Sequence, residues 1–274
     1  MTRTDAMSQS SRKPAVAGFF YPAAADALRR DVAGYLAAVA ETGPQPKVLV
    51  VPHAGLAYSG PVAATAYARL RDGATWIRRV VLIGPTHRVA FRGIAVPAVD
   101  AFTTPLGAVP IDRAARHEVL GCPGVIRSDR AHEFEHSLEV QLPFLQLVLE
   151  DFTLLPLVVG DAPAAQVAEV LDLIWGGPET LVVVSTDLSH FHGYEEARAH
   201  DAATARRILA LDPGLDGGDA CGCMGLNGFL LSARRHGLLA RQLDLRNSGD
   251  TAGDRSRVVG YGAFCFHEPR RAAA

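Results

Sequence analysis

The sequence has few cysteines and no long run of apolar residues. Its four cysteines are scattered over 274 residues, too few and too far apart for a disulfide framework. We therefore expect thiols or metal ligands at Cys122, Cys221, Cys223 and Cys265. No apolar run reaches the roughly 18 residues of a membrane span, and residues 1–13 lack the apolar core of a signal peptide. These absences predict a cytoplasmic protein that does not enter a membrane.

An excess of charge of one sign is also missing. The formal net charge is −2, and no block of like charges occurs. This argues against the basic surface of proteins that bind nucleic acids or anionic membranes. With 49% apolar residues, the chain is long enough to bury a large core. We expect one domain over residues 14–268, with disordered polar tails at 1–13 and 269–274.

What the sequence does contain is an alternation of short apolar runs with segments of helical periodicity. Four runs have the length and β-branched content of strands buried on both faces: 48–51, 80–83, 152–159 and 181–184. Two further strands close the chain, and short strands over 93–112 cover one edge. The expected fold class is α/β, a single domain with a central mixed, largely parallel sheet flanked by helices. The predicted helices span 24–41, 112–120, 163–175, 194–211 and 224–235, with one that starts after Ser59 and an amphipathic one within 130–150.

Reactive side chains follow three of these strands at the same end. His53 follows the first run, His87 the second, and Asp187 and His190 the fourth. Because α/β proteins bind ligands beyond the carboxyl ends of their parallel strands, we expect these side chains to converge. Cys221 lies at a helix start, where the helix dipole lowers the pKa of a thiol. Imidazole and thiolate together form the ligand set of a transition metal.

Plainer interpretations stay open for each residue taken alone. A histidine at a strand end is often a loop residue that the backbone satisfies. His136 could cap a helix or pair with Glu139. The C-x-C spacing of Cys221 and Cys223 is a weak zinc signal without a second pair, and either thiol could reach a metal, or the two could form a redox pair.

Five segments in order resemble one known family. The segments PHAGLAYSG, IGPTHRV, EHSLEVQLPFL, STDLSHF and ACG are similar to motifs of the MEMO family, whose bacterial members are also called AmmeMemoRadiSam system protein B. The matching segments fall within 13–266, nearly the whole chain. The resemblance implies a fold of the extradiol dioxygenase (LigB-like) type, the fold of enzymes that use non-haem iron.

The resemblance also implies site residues. His53, His87 and Cys221 correspond to the metal ligands of the family, while Asp187 and His190 line the same pocket. The motif EHSLEVQLP, with His136, Glu139 and Gln141, is expected around the ligands. Iron (Fe²⁺) is the expected metal, with copper or zinc as alternatives because a thiolate softens the site.

The leading functional hypothesis is a metal-dependent oxidoreductase acting on a small substrate, with O₂ as a candidate co-substrate. In it, His190, oriented by Asp187, acts as acid or base. The alternative is a non-catalytic adaptor that binds metal or peptide and works with radical SAM and AMMECR-type partners, which the resemblance implies. A zinc hydrolase, with His190 or Glu139 as base, is the third hypothesis, although no H-E-x-x-H motif is present.

Overall fold

The computed structural model of the chain describes residues 10–40, 43–251 and 253–269. The helices are α1 (Ala25–Ala37), α2 (Leu56–Tyr67), α3 (Arg113–Val119), α4 (Asp129–Glu133), α5 (Leu142–Val148), α6 (Ala164–Leu173), α7 (Tyr194–Leu209), α8 (Cys223–Arg235) and α9 (Ser248–Thr251), with 3₁₀ segments at Ala68–Gly73 and Glu139–Gln141. The strands are β1 (Ser11–Arg12), β2 (Val48–Val51), β3 (Arg79–Pro85), β4 (Ile94–Val96), β5 (Ala101–Thr104), β6 (Gly107–Pro110), β7 (Val125–Arg127), β8 (Thr153–Val159), β9 (Thr180–Ser185), β10 (His190–His192), β11 (Leu239–Asn247) and β12 (Val258–His267).

The main sheet is mixed, as expected. Among the described residues it has the order β10-β12-β2-β9-β3-β8-β4-β7, and β11 also pairs with β12. The central strands β2, β9, β3 and β8 run parallel, while β12 and β4 join them antiparallel. Val51 lies opposite Ser185, and Ile83 lies opposite Val184. The carboxyl ends of β2, β9 and β3 are therefore level, and the segments after them meet at one edge.

Helices cover both faces of this sheet, because alternate strand residues point to opposite sides. Leu49 and Val51 belong to the apolar layer that also contains residues of α1, α2 and α5. Val48 and Val50 belong to the opposite layer, with residues of α6, α7 and α8. The prediction of strands buried on both faces is confirmed. No helix in the described part of the chain is long and apolar enough to cross a membrane.

A second, small sheet corrects the predicted boundary of the amino-terminal tail. Its order is β1-β5-β6, with Ser11 opposite Ala101 and Arg12 opposite Phe102. Residues 10–13 therefore belong to the fold, since strand pairing and the burial of Arg12 hold them. The expected disorder of 1–9 and of 270–274 concerns residues outside the described ones and stays a prediction.

Two predicted helices differ from the structure. The amphipathic helix within 130–150 is interrupted, because α4 ends at Glu133 and α5 begins only at Leu142, with Pro143 in its first turn. Between them only the short 3₁₀ segment Glu139–Gln141 is helical, and the carboxylates of Glu135 and Glu139 bind distant segments of the chain. The helix expected after Ser59 begins earlier, at Leu56, and the Ser59 hydroxyl donates to the Ala54 carbonyl.

Candidate metal centre

Three histidines meet at the carboxyl edge of the parallel strands. One ring nitrogen of each of His53, His87 and His136 lies within 4.8 Å of the others, a spacing that can hold a metal ion. Their ring centroids are 4.6 to 5.5 Å apart. His53 follows β2, His87 follows β3, and His136 comes from the interrupted helix segment. The sequence predicted the convergence of His53 and His87. It did not identify His136 as a member of the cluster, although the motif EHSLEVQLP was singled out.

Hydrogen bonds fix the tautomer of His53. Its Nδ1 lies 2.9 Å from the Ser185 hydroxyl, which itself donates to the Ser137 carbonyl at 2.6 Å. Because the hydroxyl has only one proton, it must accept from His53 Nδ1–H. Nε2 therefore keeps its lone pair for a ligand. Burial, with a smaller contribution from His87, lowers the pKa of His53 to about 3, so the ring is neutral.

Glu135 holds the ring of His87 and the backbone of His136. Its Oε1 lies 2.9 Å from His87 Nδ1, and it also accepts the backbone N–H groups of His87, His136 and Ser137. Burial alone would raise the pKa of Glu135, but the hydrogen bonds from His87 and the backbone outweigh it and hold that pKa at about 2. The carboxylate can only accept, so His87 donates from Nδ1, and in the neutral ring this tautomer places the lone pair on Nε2. Such a carboxylate–histidine pair is a common support of metal ligands.

His136 carries a buried nitrogen without a hydrogen bond. Its Nδ1 lies 3.5 Å from Glu135 Oε1 but not in hydrogen-bonding geometry, and it has no hydrogen-bond partner among the described residues. Burial, followed by the neighbouring His53, lowers the pKa of His136 to about 4. The ring packs against Phe20, with centroids 4.8 Å apart. A buried unpartnered nitrogen is costly unless something binds it, so the cluster fits a bound metal ion.

The Cys221 thiol lies beside the histidine cluster. Its Sγ is 3.3 Å from His53 Nε2. A nitrogen and a sulfur ligand bound to the same ion are about 3.1 to 3.6 Å apart, so the observed distance lies within this range. The thiol lies outside the set of donor atoms that are within 4.8 Å of one another, which contains only the three imidazoles among the described residues. Cys223 is the first residue of α8 and is buried in the apolar layer on that side of the sheet. Of the two thiols, Cys221 is the one that contacts His53.

The protonation of Cys221 differs from the expectation. Burial, followed by the charge of Asp187, raises the pKa of the Cys221 thiol to about 12, so the helix dipole does not dominate.

The residue after Cys221 must be glycine because Gly222 lies against the side chain of Thr186. A Cβ at Gly222 would lie 2.8 Å from Cβ of Thr186, and Gly222 N donates to the Thr186 hydroxyl. This contact explains the glycine of the ACG motif.

Asp187 supports His53 rather than His190. Its Oδ1 accepts the backbone N–H of His53 at 2.7 Å, and within the described residues it makes no hydrogen bond with His190. Burial raises the pKa of Asp187. His190 is half-buried in β10 at the rim of the site, and its charge influences the pKa values of His53 and Asp187. The acid or base role of His190 stays a prediction.

The remaining motif residues act around the cluster. The Gln141 amide donates to the Ser185 hydroxyl and to the Pro52 carbonyl, both at 2.8 Å, and thereby supports the partner of His53. Glu139 does not pair with His136. It is fully buried and bonded to Arg12, Tyr21 and backbone N–H groups of the amino-terminal segment, which leaves it unsuitable as the base of a hydrolase.

The fold and these donors define a class, an α/β protein with a three-histidine site suited to a metal ion. Comparison with known proteins then gives the family. The family model described as Memo-like protein matches residues 12–265, and the chain belongs to this family. A MEMO1 family protein of Ignicoccus hospitalis is 36% identical over 286 residues, covering 94% of this chain and 99% of that protein. MEMO1 family proteins of Methanopyrus kandleri and Aquifex aeolicus are 35% and 34% identical, each covering 93% of this chain and 98% of its own length.

Proposed function

We propose that this chain is a metal-dependent oxidoreductase that binds one iron or copper ion and acts on a small substrate, with O₂ as co-substrate. His53, His87 and Cys221 are the proposed ligands, and His136 is added to them as a fourth donor. One observation carries the proposal. Ser185 and Glu135 bind Nδ1 of His53 and of His87, which leaves Nε2 of each ring available for a ligand, and the two rings lie close together beside the Cys221 thiol. No other cluster of this kind occurs among the described residues.

The donor set supports a soft transition metal. The nearby carboxylates of Glu135 and Asp187 already accept N–H groups, so the available donors are nitrogen and sulfur. This set differs from the two histidines and one carboxylate of many non-haem iron oxygenases. Iron (Fe²⁺) is the first candidate metal and copper the second. Zinc as the bound metal would argue against redox chemistry. When bound, iron or copper supplies one-electron redox chemistry that no protein side chain here provides.

The protein residues have separate tasks in this proposal. Ser185 and Glu135 hold His53 and His87 in the tautomers that leave Nε2 available. His190 lies at the rim, half-buried, where an imidazole can exchange protons between the substrate and solvent. We also propose that the fold is of the extradiol dioxygenase (LigB-like) type, since the donors lie at the carboxyl edge of parallel strands with helices on both faces.

The first experiment measures the metal. The chain is purified without air, and bound iron, copper and zinc are quantified in the wild type, in His53→Ala and in Cys221→Ala. His117→Ala, a change at an exposed histidine in α3, is the control. We expect about one ion in the wild type and the control, and little metal in the two site variants. Unchanged metal content in both site variants would eliminate the proposed site.

The second experiment tests turnover. Oxygen uptake is measured with a panel of catechols in the presence of iron(II) or copper, and His190→Asn tests the proton-transfer role. Uptake that requires the added metal and falls in His190→Asn supports the oxidoreductase. Metal binding without uptake across the panel would instead favour a non-catalytic protein that works with radical SAM and AMMECR-type partners.

A further inference from the structure

We propose that Arg12 is a positioning residue of the metal centre, acting through the backbone of the segment that carries Glu135 and His136. The inference rests on the metal site proposed above. It assigns a task to the amino-terminal segment 11–21, here called the strap. The strap lies far from the ligands in sequence, and three of its residues, Arg12, Val16 and Tyr21, are buried in the structure.

The small sheet fixes the position of the strap. Arg12 lies opposite Phe102 in the pairing of β1 with β5, and the Thr103 hydroxyl donates to the Arg12 carbonyl at 3.0 Å. The guanidinium carbon lies 5.1 Å from the centre of the Phe102 ring. With its backbone paired and its side chain stacked, Arg12 has little freedom, so its guanidinium is held at one place in the structure.

The guanidinium makes three kinds of contact with the ligand-bearing segment. Nε donates to the His132 carbonyl at 2.7 Å, one terminal nitrogen donates to the Glu135 carbonyl at 2.6 Å, and the other pairs with Glu139. The side chains of Arg12 and Glu139 are only 5% and 0% exposed. These contacts satisfy the His132 carbonyl in the last turn of α4 and the Glu135 carbonyl in the loop that follows it.

Glu139 closes the strap from the other side. Its carboxylate accepts the backbone N–H groups of Ala15 and Val16 and the hydroxyl of Tyr21. Together with its pair to Arg12, this one carboxylate binds four residues of the strap, while Arg12 binds three residues of the segment 132–139. The two segments are joined by a buried network in which the guanidinium makes three hydrogen bonds and the carboxylate four, so each buried charge is paired and hydrogen-bonded.

The network reaches the ligands through Glu135. Arg12 holds the Glu135 carbonyl, and the Glu135 carboxylate bonds Nδ1 and the backbone N–H of His87 and the N–H of His136. A shift of the Glu135 backbone would therefore move two of the three imidazoles together. His53, held by Ser185 and Asp187, has independent support. The expected defect of an Arg12 variant is a disordered His87 and His136 beside an ordered His53.

Arg12→Lys tests this inference, because it keeps the positive charge beside Glu139 but removes the planar fork that reaches both carbonyls. The matched control is Arg79→Lys, which alters a second arginine–carboxylate pair, Arg79 Nε to Asp112 Oδ2 at 2.7 Å, at the opposite end of the strands. Cobalt(II) affinity and absorption spectra are measured on the full chain, with urea unfolding as a separate measure of stability. Histidine ¹⁵N NMR of the metal-free protein reports the tautomer of His87.

We expect Arg12→Lys to bind cobalt(II) about 10- to 100-fold more weakly, with an altered spectrum at saturation, as when the supports of ligands are removed. The metal-free NMR spectrum should show His87 losing its single tautomer, whereas His53 keeps its own. Arg79→Lys should match the wild type in all three readouts, whatever it does to unfolding. Wild-type affinity and spectrum in Arg12→Lys, or equal losses in both variants, would overturn the inference.

Two outcomes separate this inference from the proposed function. If the wild type binds no cobalt, the proposed function fails, and the NMR comparison on metal-free protein alone decides the role of Arg12. If Arg12→Lys does not fold, Tyr21→Phe removes one donor to Glu139 and should weaken cobalt binding several-fold. Its control is Tyr194→Phe, which removes a tyrosine hydroxyl bonded to Asp250. Equal affinities of these two variants would then overturn the inference.

Discussion

The two ends of the parallel strands both bury polar groups, but they leave those groups in different states. At the amino end, Lys47 precedes β2, and its ammonium donates to the carbonyls of Trp175, Gly176, Gly177 and Thr180 at 2.7 to 3.3 Å. At the carboxyl end, His53 Nε2 meets only a thiol, and His136 Nδ1 has no hydrogen-bond partner among the described residues. The Lys47 ammonium is satisfied within the fold, whereas the histidines at the carboxyl end have nitrogen atoms available for a ligand.

This difference teaches which observation points to function. Lys47 and His53 are both buried, so burial of a polar side chain does not separate the two ends. What separates them is the remaining hydrogen-bonding capacity, because a satisfied ammonium has a structural explanation and an imidazole with a free lone pair has none. The comparison predicts that changes at one end alter metal binding and changes at the other alter stability alone.

Replacing His87 with alanine should produce the largest effect. The change removes an Nε2 donor and leaves Glu135 without its imidazole partner. We expect metal affinity to fall more than about 100-fold, beyond the loss seen when only the support of a ligand is removed. Titration with cobalt(II) or iron(II) under nitrogen measures it, and the exposed His117→Ala serves as the control. Affinity within a few-fold of the wild type would remove His87 from the site.

Lys47→Met tests the other end. The methionine fills a similar volume but leaves four carbonyl groups without their donor, so we expect the free energy of unfolding to fall by about 3 kcal/mol. Metal affinity should stay at the wild-type value, because the change lies at the opposite end of the strands. Urea unfolding and metal titration on the same samples check both statements. A parallel loss of metal affinity would break the distinction between the two ends.

The sequence was sufficient for the parts of the fold that depend on local pattern. Each apolar run became a strand, and the helix predicted over 112–120 is present as α3, with Asp112 as its N-cap and not its first residue. His53 and His87 could be found because each directly follows such a strand. The parallel order of the sheet then brings them together, which follows from the general geometry of α/β folds.

His136 and the strap could not be found in this way. Leucines at helical spacing do occur in the segment after His136, but Glu135 and Glu139 bind partners that lie elsewhere in the chain. Glu139 bonds Arg12, which is 127 residues away, and Glu135 bonds His87, which is 48 away. Periodicity reports which face of a helix is apolar and carries no information on such distant polar contacts. The interruption of the helix is therefore a tertiary effect.

Acid should weaken the metal-free fold through the buried histidines. The folded-state pKa values of His53, His132 and His136 are lowered by burial to about 3, about 4 and about 4, below the ordinary 6.5. Between pH 6.5 and about 4 the unfolded chain binds protons that the folded chain does not, so stability is lost as pH falls through this window. Each group contributes at most about 1.4 kcal/mol per pH unit. Urea unfolding at pH 7, 6 and 5 measures the slope, and a flat profile would contradict neutral imidazoles in the fold.

Counting protons released on metal binding gives the smallest signal and the sharpest test of Cys221. At pH 7 the neutral imidazoles of His53 and His136 have no proton to lose, whereas the thiol of Cys221, with its pKa raised to about 12, must lose one to bind as thiolate. We expect the wild type to release about one proton more per ion than Cys221→Ala, with Cys223→Ala like the wild type. Calorimetry in buffers of different ionisation enthalpy measures the difference. Equal release in the wild type and in Cys221→Ala would show that Cys221 does not bind the metal as a thiolate. The available ligands at the carboxyl end would then be the three imidazoles alone, and the contrast with the satisfied Lys47 at the amino end would rest on those histidines.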